Sequence, residues 1–585
     1  MNSRSSRNRD QSALAAAARS VGVGNRCTRR GMPNVSDNRL LADRRSPHRR
    51  GTALLVVLVV VTLLSLAAYT FSELMVTESR ASRQYSRDAQ VRELANSAVE
   101  YVAANVGNPE LDLGELPNYY HNPALFENVT VVESDSPEGR GWFSVVAPVE
   151  SDAQSQSLRF GLMNESSRLN LNTLLDSGLD EDTQRYMLVI LPGMTDDIAD
   201  SILDWLDEDE STRAYGAESD YYLGMVPAYY AKNGPIESID ELLLVRDMTP
   251  ELLYGEDSNR NGILDPNEND GSLTLPEDNA DGVLDLGLYV YLTMNSLESN
   301  LRPDGSSKID VNQSLLTELY DQIAEEYDED VATFITAYRL FGATNVEPLD
   351  LSAHYPDNST GDVDTDAAIQ NLATSIARSL TGGSEGTVTR GGLDLSQGAT
   401  VEIESLFELI GAEVDAQVNG QPATLTSPYS VDYESVKDLM ENFSNTSSST
   451  LKGRININEA REPVLLSIPT MPEELAAAIV ATRPSTGEGS SVDDVLARRT
   501  NTGWLLVEGL ADVTTMRMID AYVTTGGSVY RLQAVGRFGG PGPSARVEAI
   551  LDASGELPKL TFRQDLTDLG TGYALEQLQP STQSR

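Results

Sequence analysis

Thr52–Phe71 reads TALLVVLVVVTLLSLAAYTF, twenty residues without a charge or a proline. As a helix rising 1.5 Å per residue it would be about 30 Å long, the thickness of a bilayer core. Arg44, Arg45, His48, Arg49 and Arg50 precede it, and Glu73, Glu78 and an acid-rich body follow. The positive-inside tendency therefore predicts a single membrane-spanning helix with residues 1–51 in the cytoplasm and the bulk of the chain on the other side. The stretch runs on without the small-residue site expected of a cleaved secretory signal. Val91, Leu94, Ala95, Ala98, Val102 and Val106 continue the helix at three- and four-residue spacing. Gly107 and Pro109 supply the stop, which predicts one helix of roughly 55 residues whose second half packs on a domain.

Charge divides the chain in the same place. Of 43 Lys+Arg and 89 Asp+Glu, residues 1–51 hold 12 Arg and 3 Asp, leaving 31 basic and 86 acidic groups for the remainder. So acidic a body repels nucleic acid and anionic lipid, and suits calcium, cationic partners or plain solubility in an open compartment. Cys27 is the single cysteine and lies in the leader, so the body has no disulfide framework and no thiolate chemistry. Three histidines, His48, His121 and His354, exclude a multi-histidine metal centre. At 585 residues the chain predicts several domains or subdomains.

Strand patterns occur at Asn128–Glu133, Gly141–Val149 and Leu158–Met163, with turn residues at Ser136–Gly139. They vanish, then return at Ser528–Val535 and Ala545–Leu551, bridged by the Gly/Pro-rich Gly539–Ser544. The predicted fold class is α+β: a long N-terminal helix, an antiparallel sheet packed on its C-terminal half, and a large, mostly α-helical insert between the strands. The insert repeats itself. Arg168–Asn172 (RLNLN), Lys308–Asn312 (KIDVN) and Arg454–Asn458 (RININ) share cation, aliphatic, Asn or Asp, aliphatic, Asn. Alternation predicts a short extended segment, and the last Asn is placed to cap the helix that follows. Leu191–Met194 (LPGM) and Ile468–Met471 (IPTM) follow the first and third copies, and helices are predicted through Trp205 and over Glu473–Arg483. Ser238–Glu241 reads as a capping box, and Thr249–Pro250 opens another helix. Residues 380–400 and 444–451 read as flexible loops, and the tail after Ser554 is polar and uninformative.

These units look like helix–hairpin–helix modules, which can offer hairpin amides to DNA phosphates. The neighbourhood here is Asp196, Asp197, Asp200, Asp204, Asp207, Glu208, Asp209 and Glu210, and Thr470 replaces the hairpin glycine in the third copy. Phosphate binding needs positive potential, so no nucleic-acid partner is expected and protein contact is the better reading.

Asp257–Glu268 (DSNRNGILDPNE) meets the twelve-residue calcium loop at its required positions. Asp257, Asn259 and Asn261 supply oxygens at positions 1, 3 and 5, and Gly262 allows the sharp turn. Ile263 offers its carbonyl, Asp265 sits at position 9, and Glu268 closes the site. Calcium is the cofactor expected. Glu277, Asn279, Asp281, Val283 and Asp285 repeat the first nine positions, but Leu288 stands where the closing Glu belongs, so a second ion there would be partial or take a ligand from elsewhere. Pro266 argues against two long flanking helices and predicts a structural ion. The acids Asp204, Asp207, Glu208, Asp209, Glu218 and Asp220 offer oxygens for another ion, but a solvated face is the favoured reading. No H-E-x-x-H, G-x-S-x-G, Walker A or G-x-G-x-x-G signature occurs at a plausible location, and enzyme is the weaker expectation. Trp142, Trp205 and Trp504 read as core residues.

Arg49–Arg50–Gly51 directly before Thr52 resembles the leader of type IV pilins and type II secretion pseudopilins. The resemblance implies cleavage between Gly51 and Thr52 by a prepilin peptidase, then methylation of the new N-terminus. Most such proteins carry glutamate at the fifth mature position, where this chain has Val56. That departure, with the ordered set Arg49–Val56, Arg168–Asn172, Leu203–Asp209, Glu237–Pro250 and Arg454–Asn458, resembles the K-type minor pseudopilins over residues 49 to 553. The resemblance implies a basic leader (1–51), a transmembrane helix (52–71), a pilin-like helix and first strands (72–167), the insert (168–525), final strands (526–554) and a tail (555–585). It implies a place at the tip of a periplasmic pseudopilus, I- and J-type minor pseudopilins and the pseudopilus as partners, and an inner-membrane anchor. The leader is long for the family, and a start at Met32 would shorten it to 20 residues. The competing readings are a membrane-anchored helix–hairpin–helix protein in DNA uptake, and a surface enzyme or adhesin on a pilin-like anchor.

Overall fold

The computed structural model describes residues 50–106, 119–149, 158–175, 178–275, 277–346, 388–483 and 495, and residues 498–578 apart from 541, 556, 571, 575 and 576. Residues 1–49 of the expected leader and the Gly107–Pro109 stop lie outside these. Helix α1 runs Arg50–Val106, 57 residues. The chain divides into two units at Ser79/Arg80. In the first, α1 is exposed on every side from Ala53 onward, and it holds the one apolar segment among the described residues long enough to cross a membrane.

In the second unit, α1 buries Val91, Leu94, Ala95, Ala98, Val99 and Val102. The three- and four-residue recurrence puts these side chains on one stripe. The stripe packs on a seven-stranded sheet: β1 (Val129–Val132), β2 (Gly141–Pro148), β3 (Leu158–Arg159), β4 (Met163–Asn164), β5 (Val529–Phe538), β6 (Ser544–Asp552) and β7 (Lys559–Asp565). The order is β1-β2-β5-β6-β7, with β3 beside β2 and β4 beside β5. All pairings are antiparallel. Phe143, Val145, Leu532, Ala534, Val547 and Ala549 face the helix in one core. Gly536 sets the distance of approach, because a Cβ there would lie 2.4 Å from the Val91 carbonyl oxygen and 2.5 Å from the Ala95 nitrogen. Only hydrogen fits between strand and helix at that point.

The expected sheet forms, with three corrections to its detail. Leu158–Met163 is two short strands on different partners, not one. Arg159 ties the crossing together, donating to the carbonyls of Leu162 at 2.7 Å, Tyr120 at 2.5 Å and Pro148 at 3.2 Å. The residues expected only as a tail, 555–585, extend the sheet: Lys559–Asp565 is the edge strand β7, and Tyr573 and Leu578 are buried with Val146, Ile263 and Val535. The alternation of Leu560, Phe562 and Gln564 is weak because an edge strand with one wet face needs little apolar surface. Finally, residues 444–451 are not a free loop. Ser444 is buried and paired with Asp310, and Thr450–Lys452 pairs with Leu297–Ser299. Of the other expected loop, Thr389–Arg390 and Leu393–Asp394 form a two-stranded pair, while residues 380–387 lie outside the described set.

The insert is three copies of one plan. Each RLNLN-type segment pairs in parallel with a short strand that closes its own repeat: Leu169–Asn170 with Leu292–Thr293, Ile309–Asp310 with Phe443–Ser444, and Ile455–Asn456 with Val523–Thr524. The middle residue, not the last Asn, makes the local cap. Asn170, Asp310 and Asn456 each accept from the backbone N–H two residues on, at 2.9–3.1 Å. The last Asn spans the repeat instead. Asn172 Nδ2 donates to the carbonyls of Ile236 and Met294, Asn312 to Ile403 and Asn445, and Asn458 to Arg499 and Thr525. A side-chain amide with two donors can satisfy two buried carbonyls at once, which a hydroxyl cannot. Helices Glu181–Val189 and Asp196–Leu206, Leu316–Glu326 and Glu329–Phe341, and Glu462–Leu466 and Glu473–Ala481 follow in turn. Gly193 and Thr470 both take positive φ, +78° and +65°, at matching turns. Ser238 opens a 3-10 turn, Ile239–Leu244. The reciprocal box is absent there because the Glu241 carboxylate accepts from Trp205 Nε1 and Lys232 Nζ instead.

One buried ion group joins insert to sheet. Arg531 on β5 donates to Glu165 Oε1 at 2.6 Å and Glu548 Oε1 at 2.7 Å, and each of the three side chains is at most 2% exposed. Tyr289 donates to Glu548 at 2.8 Å and Thr293 to Glu165, both from the closing end of the first repeat. Burial pushes the Glu165 carboxyl up, but the charges of Arg531 and Arg168 outweigh it and hold the group below its usual value. That contribution to stability is present above the ordinary carboxylate pKa of about 4.3 and is lost as pH falls through the lower folded value. Arg531→Met should cost about 3–5 kcal/mol, since it leaves two buried carboxylates unpaired. It should also flatten the acid limb of a Tm-against-pH curve, and an unchanged limb would count against the ion group.

Candidate metal centre

Asp257–Glu268 begins three residues after the five-residue helix Pro250–Tyr254 and ends in the single 3-10 turn Pro266–Glu268. Its chain is held by its own first and last residues. Asp257 Oδ1 accepts from the Asn261 N–H at 3.0 Å and Oδ2 from Gly262 at 2.8 Å. Glu268 Oε1 accepts from Ser258 at 3.0 Å and Oε2 from Asp265 at 3.1 Å. Gly262 sits at φ +69°, which the turn at position 6 requires. Asp257 is 7% and Glu268 1% exposed. Burial first, and then Glu268 nearby, pushes the Asp257 carboxyl up to about 7. Burial likewise raises Glu268. Asn259 Oδ1, the position-3 oxygen, is buried with no hydrogen-bond partner. Two buried carboxylates and an orphaned amide oxygen around one turn form an all-oxygen set that a hard cation would satisfy. Asn259 Nδ2 and Asn261 Nδ2 both donate to Asp265 Oδ2, at 2.6 and 2.9 Å, so Asp265 faces the same interior.

The loop lies on the sheet face opposite α1, a placement that its own twelve residues do not announce. Gln533 on β5 donates to the Arg260 carbonyl at 2.9 Å, and Arg546 on β6 to that of Asn259. Arg260 reaches Gln564 on β7 at 3.0 Å. Ile263 enters a small core with Val146, Val535, Tyr573 and Leu578. Tyr573 donates to Gln533 at 2.8 Å and to the Asn261 carbonyl at 3.4 Å.

The second loop is assembled from two places. Asn279 and Asp281 accept from N–H groups two residues on, at 2.8 Å, and Asn279 Nδ2 donates to Asp285 at 3.1 Å. Glu277 is exposed and makes none of these bonds. Glu256, one residue before the first loop, accepts from the N–H groups of Asn279 and Asp285, both at 3.1 Å. Asn269, one residue after it, accepts from Gly282 at 3.1 Å. These two flank the first loop as its own Asp257 and Glu268 bound it, and they do for the second what Glu268 and Asp257 do for the first. Sequence reasoning missed both, because their partners lie 13 to 29 positions away. The acid next to Asp257 was the available signal.

Asp204, Asp207 and Glu218 do not form the solvated face their spacing suggested. Their carboxylate oxygens come within 4.8 Å of one another, with Asp204 and Glu218 buried. The cavity beside Arg531, lined by Asp240, Tyr289, Glu548 and Gln564, holds 10 Å³, room for about one water and no substrate.

Residues 167–254 match the family described as Type II secretion system (T2SS), protein K, first domain. Those residues are thus similar to the protein K family of type II secretion. The Type II secretion system protein K of Pseudomonas aeruginosa PAO1 is 28% identical over 208 residues, 34% of this chain and 57% of that protein. The chain thus spans a little over half the length of that curated relative. The solved GspK-GspI-GspJ complex from enterotoxigenic Escherichia coli contains a chain that overlays at TM-score 0.33 with 11% identity, covering 83% of this chain and 99% of that one. The matched segment covers the opening part of the first repeat and stops before Asp257, so the loop lies outside the matched residues.

Tyr573→Ala should cost about 3 kcal/mol, the scale of a buried aromatic truncation, and should expose Arg260 to trypsin. Equal Tm and equal trypsin resistance would mean that the C-terminal segment does not hold the loop.

Proposed function

We propose that the chain is the minor pseudopilin that caps the tip of a type II secretion pseudopilus and acts by assembly, not catalysis. The observation that carries this reading is the joining of three parts in one chain. They are an apolar N-terminal helix able to cross a membrane, an antiparallel sheet on its continuation, and a large insert whose first domain is of the protein K kind. In this reading residues 52–71 lie in the inner membrane and the acidic body lies in the periplasm. Prepilin peptidase cuts between Gly51 and Thr52, and the new N-terminus is methylated. Val56 supports a terminal place, because it lacks the carboxylate that would meet a neighbouring subunit's amine inside lipid. The I- and J-type minor pseudopilins are the expected partners, as in the complex named above for its own chains.

Calcium at Asp257, Asn259, Asn261, Ile263, Asp265 and Glu268 would neutralise the buried pair and pin the loop against β5 and β6. The second loop would take its ion between Asn279, Asp281, the Val283 carbonyl, Asp285 and Glu256. DNA uptake finds no support: Asp196 and Asp197 open the second helix of the first hairpin, where phosphate would have to approach.

Co-purification of I- and J-type subunits with the processed chain tests the assignment, and recovery of the processed chain alone would remove it. Gly51→Asp should leave an unprocessed precursor by mass spectrometry, and normal processing would refute the cleavage site. Calcium at 100 times its Kd should stabilise the protein by about 2.7 kcal/mol. Asp257→Ala with Glu268→Ala should abolish that calcium-dependent rise in Tm, and a retained rise would dismiss the loop as its source.

A further inference from the structure

The sequence holds three Asn–Gly pairs, Asn233–Gly234, Asn261–Gly262 and Asn419–Gly420. In such a pair the glycine amide nitrogen can attack the asparagine side-chain carbonyl, because no Cβ on the glycine blocks the approach. Two conditions govern the step. The nitrogen must be free of a hydrogen bond, and the asparagine side chain must be free to swing toward it. At the first pair the Gly234 N–H donates to the Trp205 carbonyl at 3.4 Å. Asn233 Nδ2 donates to the Asp209 carbonyl at 2.9 Å and to Glu210 Oε1 at 3.1 Å. At the second pair Asn261 is buried, and the Gly262 N–H donates to Asp257 Oδ2 at 2.8 Å. Asn261 Nδ2 is taken up by Asp265 Oδ2 at 2.9 Å and by the Gly572 carbonyl. Both pairs are locked.

The third pair is built differently. Asn419–Gly420 is the turn between strands Glu413–Val418 and Gln421–Thr426, with Val418 opposite Gln421. Both turn residues take positive φ, +54° and +73°, as a two-residue Asn–Gly hairpin requires. Gly420 is exposed, and among the described residues its N–H meets no acceptor. The Asn419 backbone N–H donates to the Gly392 carbonyl at 2.8 Å. Its side-chain amide rests over Gly392 and makes no hydrogen bond among the described residues. Nucleophile and electrophile are both unrestrained only here.

We propose that Asn419 is a self-modification site of the second repeat, deamidating through Gly420 while the fold keeps Asn233 and Asn261 unreacted. The Gly420 nitrogen bonds to Asn419 Cγ, the Cγ–Nδ2 bond breaks, and ammonia leaves with the proton from that nitrogen. Water then opens the five-membered imide at either carbonyl, giving aspartate or an isoaspartyl link. Water is the only co-reactant. Either product adds a negative charge to an already acidic body. The isoaspartyl form also adds one carbon to the backbone of a two-residue turn. That turn sets a register running without a break from Glu413↔Thr426 to Val418↔Gln421. Val414 and Ala416 of the hairpin are buried in the core shared by the three repeats, so the change reaches the packing of the insert.

The test is peptide mass spectrometry of the full-length protein in detergent, held at mildly alkaline pH and sampled over time. The same protein unfolded in guanidinium chloride is sampled alongside. Deamidation is read at each of the three pairs, and isoaspartate by labelling with an isoaspartyl methyltransferase. In the folded protein Asn419 should convert at least roughly tenfold faster than Asn233 and Asn261, a tenfold ratio being the effect of about 1.4 kcal/mol of restraint. In guanidinium the three rates should converge, since local sequence alone then sets them. Asn419→Gln, with a far-UV circular dichroism spectrum like the wild type, should remove the fast site. Should that variant fail to fold, the folded-against-unfolded comparison of the wild type decides alone. A folded-state lead for Asn419 below tenfold would overturn the site. An equal lead in guanidinium would overturn it too, because the fold would then have selected nothing.

Discussion

Arg531 is where the two halves of this protein's second unit meet. It belongs to a central strand of the sheet, yet its guanidinium is shared between Glu548 of the next strand and Glu165, three residues before the insert begins. A charge buried to 2% exposure is tolerable only if it is fully partnered. Tyr289 and Thr293, which supply further hydrogen bonds to the two carboxylates, come from the end of the first repeat. The interaction thus holds the insert's entry and the first repeat's close against one point of the sheet. A hydrophobic contact there would tolerate sliding, whereas a bidentate ion group sets position as well as proximity.

Around that point the insert solves one problem three times. Each repeat must bury a short parallel strand pair too small to be stable alone. The Asn at the end of each RLNLN-type segment meets this by reaching two carbonyls in distant parts of its own repeat, one of them immediately after the closing strand. The apolar residues of all three repeats then merge into one core. The sheet has a different arrangement on each face. One carries the α1 stripe, brought close by Gly536. The other is covered by the Asp257 loop and the segment around Tyr573. A sheet covered on both faces explains why β5 and β6 are buried along most of their lengths, although their sequences include Arg531, Gln533, Arg546 and Glu548.

The acidic character of the body has a matching division of labour. Much of it is solvated surface, but the acids around Asp257 and Asp204 are buried and underpaired. Such groups are costly as bare buried anions, and a proton or a counter-charge relieves that cost.

Much of the architecture was legible in the residues themselves. An uncharged run of twenty, a stripe at three- and four-residue spacing, and alternating strands at both ends of the body determine the long helix, the sheet and the presence of an insert. These follow from local periodicity, which each segment carries alone. The twelve-residue loop was legible for the same reason, because its ligating residues are near neighbours. What tertiary structure decided is everything that depends on distant partners. Glu256 and Asn269 complete a second loop that their own positions do not suggest. Lys559–Asp565 becomes a strand only because β6 offers an edge. Glu218 returns to Asp204 across fourteen positions of irregular chain, turning an apparent solvated run into a buried cluster. Hydrogen bonds and desolvation act between groups that are close in space, and no pattern along the chain states which of them folding will bring together.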